Sequence, residues 1–378
     1  MNIQQIASIS EISTNTWNNL VGEDYPFIRH QFLLALEESE AVCYKTGWQP
    51  QHLLVYSNNE LIACMPMYLK YHSRGEYVFD YQWAQAYLQQ GFEYYPKWLT
   101  AIPFTPCQGK RIYTKAGVNL TKIFEIVFDY LKNAADQYSI SSWHCLFPEA
   151  EQAVLLNTSS LSIRQDVQFH WFNHNFRDFS DYLETFNARN RKKIKRERRR
   201  ITEQNITFLR IPGKEITETQ LSIFFEFYQM TYLKKGMLPY LNKQFFRKII
   251  QTMPQNLLLI MAIKDNSYVA AAFSFVSDVT FYGRYWGCFD EFSCLHFETC
   301  YYQGIEYCID NDLKSFNSGA QGEHKIARGF EPVITYSAHW FKHVQFSQAI
   351  ENFLKHERPA IENYKEQACN TLPFKGEL

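Results

Sequence analysis

The predicted secondary-structure elements run twice through the same order along this chain. In each half, a helix is followed by a β-hairpin, a third strand, a second helix and a last strand. Apolar residues recur at helical spacing in the helices, and turn-forming residues separate the paired strands. Two copies of one mixed α/β unit are the simplest account of this repeat. The length of 378 residues also suits two domains.

The first half contains predicted helices at residues 24–39 and 120–136, with strands in HLLVYS, LIACMPMYLKYH, EYVFDYQW and SSWHCLF. In the second half, LLLIMAIK and YVAAAFSFVS flank a turn at Asp265, TFYGRYWGC is the third strand, a helix covers residues 297–310, and KSFNSGAQ is the last strand. Both third strands carry Tyr and Trp together, and this likeness supports the repeat.

A strongly basic helix is predicted at residues 181–204. It follows a domain boundary near Asn175, which gives domains 1–175 and 176–378. Nine of the twelve residues from 189 to 200 are Lys or Arg, whereas the rest of the chain carries 29 basic and 38 acidic residues. One basic element on an acidic body indicates a local anionic partner.

The predicted basic helix leaves most of its circumference to cations. Asp181 and Glu184 fit an N-terminal capping box, and an apolar stripe is formed by Phe186, Ile194 and Ile201. Either an RNA backbone or a lipid pyrophosphate fits this surface, and the alternative is a solvated helix with no partner. The predicted polyanion-binding residues are Lys192, Lys193, Arg196 and Arg199.

Cysteine usage and apolar runs indicate a cytoplasmic protein. The nine cysteines are scattered without a C-x-x-C pair, which is typical of free thiols in a reducing compartment. The opening MNIQQIASISEIS lacks the pattern of a signal peptide, and the apolar runs are too short for a transmembrane segment.

The segment GAQGEHKIARGFEP, at residues 319–332, concentrates the chemistry of the chain. A Glu–His pair, Glu323 and His324, suits proton transfer. Lys325 and Arg328 suit the binding of a carboxylate or a phosphate. The alternative is a polar loop held by internal salt bridges.

A histidine–glutamate pair and a histidine–histidine pair are weaker candidates. His296 and Glu298 lie at the start of a predicted helix and fit substrate binding, although a structural histidine is the commoner outcome. His339 and His343 have helical spacing but lack the glutamate of a zinc-protease motif, so we predict no metal site. The sequence contains no G-x-S-x-G motif, Walker loop or dinucleotide fingerprint.

Longer motifs give the chain a family resemblance. PFIRHQFLLALEES, FDYQWAQAY, YYPKWLTAIPFTPCQGKR, RNRKKIKRERR, TYLKKGMLPYLN, LHFETCYYQGIEYCI and GAQGEHKIARGFEPVITYSAHW resemble a Fem-like family of the GNAT superfamily, labelled peptidoglycan biosynthesis/recognition. The likeness runs from about Tyr25 to LPFK near the C-terminus. It implies a tandem double GNAT fold, an acyl-CoA N-acyltransferase-like architecture of mixed sheets flanked by helices.

The resemblance also implies an activity. Fem enzymes move an amino acid from aminoacyl-tRNA to an amine on a peptidoglycan precursor, and such a donor agrees with the basic helix. Enzymes of the fold that use acyl-CoA hold its pyrophosphate in a Q/R-x-x-G-x-G/A loop. The corresponding segments here, CQGKRIYTKAG and CFDEFSCLH, do not match. No cofactor is therefore expected, and acyl-CoA stays the alternative donor.

We interpret the sequence as an N-acyltransferase in which Glu323 or His324 assists proton transfer. Tyr285 and Trp286 would line the groove of the second domain, and Tyr81 and Trp83 would be their counterparts in the first. Two alternatives stay open, an acyl-CoA-dependent transferase acting on a small amine and a non-catalytic protein that binds RNA or a cell-wall precursor. The donor, the acceptor and the oligomeric state stay open as well.

Overall fold

The computed structural model describes residues 1–158, 161–320 and 322–376. Within them, the strands are β1 (Asn2–Ile6), β2 (Trp48–Pro50), β3 (His52–Ser57), β4 (Glu60–Met65), β5 (Tyr68–Lys70), β6 (Lys97–Thr100), β7 (Tyr113–Thr114), β8 (Ser142–Leu146), β9 (Ser162–Phe172), β10 (Thr207–Pro212), β11 (Leu257–Lys264), β12 (Ser267–Val276), β13 (Thr280–Cys288), β14 (Ser315–Asn317) and β15 (Glu331–Phe341).

The α-helices of the same residues are α1 (Thr14–Val21), α2 (His30–Glu38), α3 (Tyr81–Gln89), α4 (Leu120–Gln137), α5 (Ala150–Thr158), α6 (Phe179–Glu184), α7 (Ala188–Glu203), α8 (Glu218–Leu233), α9 (Lys243–Thr252), α10 (Leu295–Phe297), α11 (Gln303–Asp310) and α12 (Val344–Asn370). A turn of π-helix, Glu298–Tyr302, separates α10 from α11, and a 3₁₀ turn covers Glu323–Arg328.

The chain forms two compact units. Unit 1 comprises Met1–Val167 and Ile334–Tyr364, and unit 2 comprises Gln168–Val333 and Lys365–Leu378. The sequence predicted domains at 1–175 and 176–378. In the structure, residues 334–364 belong to the first unit and not to the second. The reason is strand pairing, because β15 pairs antiparallel with β8.

Unit 1 contains two sheets. One has the order β1-β3-β4-β7, and the other runs β15-β8-β6-β5-β2. Pairing of β6 with β8 is parallel, whereas β15 with β8 and β5 with β6 are antiparallel, so the second sheet is mixed. Helix α4 buries Ile123, Val127 and Leu131 at helical spacing against this core. The helix predicted at 120–136 is therefore confirmed.

Unit 2 contains a mixed sheet in the order β10-β11-β12-β13-β14-β9. The β11–β12 hairpin turns at Asp265, as predicted, and β13 pairs in parallel with β14. Helix α8 lies so close to β13 that a Cβ on Gly287 would be 1.9 Å from the carbonyl oxygen of Phe227. Only glycine permits that approach, which brings Phe224 and Tyr228 of α8 into the core.

The structure overturns the prediction of a strand in EYVFDYQW. Helix α3 begins at Tyr81, and Trp83 and Tyr87 lie one turn apart on its buried side. Both side chains pack in a cluster with Phe341 and Leu354. Aromatic residues suggested a strand, but their i, i+4 spacing serves one face of a helix.

The single helix predicted at 181–204 is two helices, α6 and α7. Asp178 caps the first, and Asn187 caps the second by accepting from the backbone N–H of Asn190. The predicted capping box of Asp181 and Glu184 is therefore wrong, because both residues lie inside α6.

The helix predicted at 24–39 is likewise shorter than expected. A 3₁₀ turn covers Pro26–Ile28, and α2 begins only at His30.

Candidate active site

A cavity of about 110 Å³ opens in unit 2 beside β13. Its position places three of the predicted site residues together, namely Tyr285, Trp286 and His296. The complete lining consists of Ala272, Ser274, Gly283, Arg284, Tyr285, Trp286, His296, Cys300, Tyr301 and Ser318.

Two backbone irregularities aim side chains into this cavity. On β12 and β13, Phe273 pairs with Tyr285 and Ser274 pairs with Gly283, so Arg284 is the extra residue of a β-bulge. The π-helical turn presents Cys300 and Tyr301. Bulges and π-turns both disrupt regular hydrogen bonding and occur preferentially at functional sites. Their meeting at one cavity distinguishes this part of unit 2.

The cavity has a cationic wall. The Arg284 guanidinium donates to the side chain and the carbonyl of Asn317 at 3.0 and 3.3 Å. Lys325, only 2% exposed, lies behind Ser318 and donates from Nζ to the carbonyls of Ser318 and Gly319 at 3.2 and 3.0 Å. Burial, reinforced by Arg284, lowers the pKa of Lys325 to about 7. Among the described residues, no carboxylate lines the cavity.

A tyrosine–histidine pair joins the cavity to solvent. Tyr301 lines the cavity, and its hydroxyl lies 2.9 Å from Nε2 of the exposed His324. Burial lowers the pKa of His324, and the neighbouring Lys325 and Arg328 lower it further. His324 is therefore mainly neutral at pH 7, and burial raises the pKa of Tyr301, so the pair is a hydrogen bond between two neutral groups.

The ring of His296 packs edge-on against Trp286 and Tyr301, with centroids 5.3 and 5.4 Å away. Burial lowers its pKa to about 4, because the surrounding aromatic rings do not solvate a charge and His324 lies close. His296 is thus a neutral aromatic wall of the cavity.

Glu323 begins the 3₁₀ turn and is exposed, outside the lining of the cavity. Gly322 precedes it with φ +109, and Gly329 ends the turn with φ +77. A Cβ on Gly329 would be 2.2 Å from the Tyr182 hydroxyl, so glycine is required there. Gln321, which the predicted segment includes, lies outside the described residues.

The Arg328 side chain forms an ion pair inside unit 2. Its guanidinium donates to both carboxylate oxygens of Glu197 at 3.0 and 2.9 Å and lies 3.4 Å from the ring centroid of Phe297. The Tyr302 hydroxyl donates to the same carboxylate. Glu197, the one acid of the basic stretch, therefore joins α7 to the 3₁₀ turn. Substrate binding by Arg328 stays a prediction, although its side chain already holds this buried pair.

Glu298 also has internal partners. It accepts from Arg198 at 3.0 Å and from the Gln303 amide at 2.8 Å, and it does not line the cavity. Its predicted contact with substrate likewise stays a prediction.

The predicted polyanion-binding side chains lie on α7. Lys192, Arg196 and Arg199 are exposed and Lys193 is half-buried. Arg199 lies 3.3 Å from Glu203, whereas the other three have no ion-pair partner within the described part of the chain. Ile194 and Ile201 are buried, as the predicted stripe requires.

Tyr81 and Trp83 belong to unit 1 and do not join the cavity of unit 2. Tyr81 is 57% exposed, and Trp83 packs edge-on against His339 at 4.7 Å between ring centroids. His339 lies on β15 and His343 follows that strand, so their helical spacing is wrong. Across the described residues, no group of three or more His, Cys, Asp or Glu side chains could hold a metal, and no helix is long and apolar enough to cross a membrane.

Reasoning from the sequence missed Arg284, Cys300, Tyr301 and Ser318. One signal was present, because a glycine inside a strand, here Gly283 before Arg284, often marks a bulge. Tyr301 and Cys300 gave none, since a π-turn follows from packing and not from a local motif.

The fold has known relatives. A family model described as FemAB-like, peptidoglycan biosynthesis/recognition, matches residues 8–376. FemX superimposes with a TM-score of 0.54 at 12% identity, over 93% of this chain and 100% of FemX. The C-terminal domain of a putative lysylphosphatidylglycerol synthetase from Agrobacterium fabrum superimposes with a TM-score of 0.55 at 9% identity. The match covers 91% of this chain and 96% of that domain.

At these identities the structural likeness shows the fold alone, and the predicted tandem GNAT fold class is confirmed. A tandem GNAT protein of the clavulanic acid pathway is a weaker likeness, with a TM-score of 0.48 at 7% identity, over 90% of this chain and 98% of that protein. No curated protein sequence is significantly similar to this chain.

Proposed function

This chain belongs to the FemAB-like family of peptidoglycan biosynthesis/recognition, and from that membership and the cavity of unit 2 we propose that it is an N-acyltransferase. The group moved would be an aminoacyl group, from aminoacyl-tRNA or a similar donor. The acceptor would be an amine, such as that of a peptidoglycan precursor. One structural relative is named as a lysylphosphatidylglycerol synthetase, and that name agrees with aminoacyl transfer.

The observation that carries the proposal is the meeting of a bulge, a π-turn and a cationic wall at one cavity. Acyl transfer to an amine passes through a tetrahedral intermediate whose oxygen becomes negative. Arg284 at the bulge supplies positive charge there, and Lys325 behind Ser318 adds to it when protonated, with no carboxylate in the described lining to compete for it. Such a wall favours an oxyanion or a carboxylate over a cation.

Proton transfer can follow the Tyr301–His324 pair. The attacking amine loses a proton, and the leaving oxygen of the donor gains one. Tyr301 faces the cavity, and because burial raises the pKa of its hydroxyl, His324 would take that proton at Nε2 only as the amine gives its own proton to the Tyr301 oxygen. No covalent enzyme intermediate is needed, and the half-buried Cys300, whose pKa desolvation raises well above the usual value, is given no nucleophilic part.

Binding of the substrate would use the aromatic walls. Tyr285 and Trp286 on β13, with His296 opposite, form an apolar surface for an acyl side chain. Glu323 stays the second candidate for proton transfer. Arg328 and Glu298 would act on substrate only if their present ion pairs opened.

A transfer assay tests the function. The full chain is incubated with a pool of labelled aminoacyl-tRNAs and amine-bearing peptidoglycan precursors, and amide-linked label in the acceptor is measured. We expect transfer that is lost in Tyr301→Phe. Label transferred from acetyl-CoA in the same assay, with none from aminoacyl-tRNA, would instead assign acyl-CoA as donor.

The non-catalytic alternative has its own outcome. Firm binding of RNA or precursor without transfer from any donor would identify a binding protein. Mass spectrometry of ligands that copurify with the chain would show which donor or acceptor it selects.

A further inference from the structure

The turn after helix α8 exposes apolar side chains that the core of unit 2 does not use. Leu238 is 79% exposed, Leu233 53% and Met237 42%. Gly236, with φ +67, closes the turn by donating its N–H to the Leu233 carbonyl at 2.9 Å. Three large apolar residues on one tight turn meet water instead of protein.

A fourth apolar side chain stands beside this turn. Phe289, 47% exposed, follows β13, and Lys234 donates to its carbonyl at 3.1 Å. Its ring packs edge-on against Phe227 of α8 at 4.9 Å. We call Leu233, Met237, Leu238 and Phe289 the apolar turn.

The apolar turn borders the candidate active site. Thr231, two residues before Leu233, donates from Oγ1 to the Trp286 carbonyl at 2.7 Å. Trp286 lines the cavity. A partner that binds the apolar turn would therefore also lie next to the cavity.

The C-terminal end of the basic helix α7 contacts the loop after β13, which also contains Phe289. Gln204, which caps α7, donates from Nε2 to the carbonyls of Arg200 and Ser293 at 2.7 and 3.1 Å. Ser293 lies four residues after Phe289. Helix α7 has cations without an ion-pair partner in the described ranges, namely Arg189, Lys192, Lys193, Lys195, Arg196 and Arg200.

We propose that the apolar turn and the cations of α7 together dock unit 2 on an anionic lipid bilayer. A polybasic helix is attracted to anionic headgroups, and apolar side chains enter the boundary between headgroups and acyl chains. An RNA backbone attracts the cations equally but offers nothing to Leu238. Asp290 and Glu291 directly follow Phe289 and oppose anionic lipid, so the electrostatic attraction comes from α7 and the insertion from the turn.

The docking rests on these two surfaces and not on acyl transfer. Where the proposed transfer also holds, docking deepens it, because the acceptor amine would belong to a molecule anchored in that bilayer. The cavity beside Trp286 would then face a substrate that moves in two dimensions along the membrane surface.

Vesicle sedimentation of the full chain tests the docking. Vesicles of phosphatidylcholine alone are compared with vesicles that also contain phosphatidylglycerol. We expect binding only to the second kind, weakened by salt. Leu233→Ser with Leu238→Ser should lower the affinity about tenfold or more, because two leucine side chains no longer enter the bilayer.

Two further variants are needed, one that removes cations of α7 and one that serves as a control. Each neutralised cation should lower vesicle affinity about fivefold. The charge variant combines Lys192→Gln, Lys193→Gln, Arg196→Gln and Arg199→Gln. The matched control is Leu88→Ser, since Leu88 of unit 1 is 76% exposed and lies outside both surfaces. It should bind as the wild type does.

The outcomes are separable. Absence of vesicle binding, or equal loss in Leu88→Ser and the Leu233/Leu238 variant, would overturn the docking. If α7 serves RNA, the charge variant loses tRNA binding with a flatter salt dependence, and vesicles never bind. Transfer to a water-soluble acceptor, assayed without vesicles, tests the acyltransferase independently.

Discussion

Two lysines, one in each unit, are almost fully buried and yet have opposite electrostatic settings. Lys97 of unit 1 donates to Glu76 at 2.8 Å, to Asp80 at 2.5 Å and to the Ser73 hydroxyl at 2.9 Å. Burial would lower its pKa, but the two carboxylates outweigh burial and raise it. Within the described residues, Lys325 of unit 2 has only carbonyl acceptors, and its pKa falls to about 7.

The surroundings of the two lysines differ in the same way. From Asp80 the hydrogen bonds of unit 1 continue through Tyr94 to His144, whose Nδ1 lies 2.7 Å from that of His339. Every one of these side chains is buried. In unit 2, Arg284 and Tyr301 line a cavity and His324 is exposed to solvent. A dense cluster of titratable residues therefore marks a reaction site only where a ligand can reach it.

Removal of Lys97 should give the largest effect. Lys97→Met leaves Asp80 and Glu76 buried with too little positive charge, which costs about 3–5 kcal/mol of folding free energy. Lys325→Met removes two hydrogen bonds to carbonyls and should cost about 1–2 kcal/mol. Denaturant unfolding followed by circular dichroism measures both. Equal losses would contradict the contrast between the two lysines.

Removal of His324 should affect rate instead of stability. Loss of a general acid–base group lowers turnover about a hundredfold or more, whereas an exposed side chain contributes about 0.5 kcal/mol or less to folding. The matched control is His356→Ala, an exposed histidine of α12 in unit 1. Turnover in the transfer assay and the melting temperature are measured on one preparation. Normal turnover in folded His324→Ala would remove His324 from the proton path.

Acid should weaken the buried network of unit 1. Burial, aided by Lys97 for His144 and by Arg164 for His339, lowers the pKa of both histidines well below the usual value, although Asp80 opposes this at His339. The unfolded chain therefore takes up protons first as the pH falls below about 6.5. The folding free energy present above that pH is lost below it, by about 1.4 kcal/mol per pH unit for each histidine that stays neutral.

Urea unfolding at pH 7.5 and pH 5.5 measures this loss. His339→Gln should make it smaller, because one of the neutral histidines is gone. Equal stability at the two pH values in the wild type would mean that folding leaves the pKa of the two histidines unchanged.

The sequence predicted correctly those elements whose backbone geometry depends on the residues of the element itself. The β11–β12 hairpin turns at Asp265-Asn266, where both residues adopt positive φ, as short polar side chains permit. Helix α3 was missed because the partners of Trp83 and Tyr87, Phe341 and Leu354, lie far along the chain. No local window contains that packing.

In the candidate site, too, the sequence predicted contacts between neighbouring residues but not contacts between distant ones. Tyr285 and Trp286 were predicted because they are neighbours on one strand. The partner of Arg328 is Glu197, 131 residues away, and it was hidden among nine cations. Tyr301 needed the π-turn to reach His324, 23 residues away. Long-range contacts decide which polar groups meet, and a single sequence does not display them.

The smallest effect is expected for Glu323. The sequence made Glu323 and His324 equal candidates, but Glu323 is exposed and outside the described lining of the cavity. Glu323→Gln should change the folding free energy by about 0.5 kcal/mol or less, and turnover by less than about threefold, a barrier change well under 1 kcal/mol. His324→Ala on the same preparation is the reference.

A hundredfold loss of turnover in Glu323→Gln, at an unchanged melting temperature, would assign the proton transfer to the exposed carboxylate. The segment would then have to close over the cavity during the reaction, because Glu323 does not line it in this structure. A loss of stability instead would give Glu323 a structural part in unit 2 like that of Glu197, and the contrast between the two units would narrow. The pair of readouts therefore decides whether the contact of His324 with Tyr301, a residue of the cavity, is what separates His324 from Glu323.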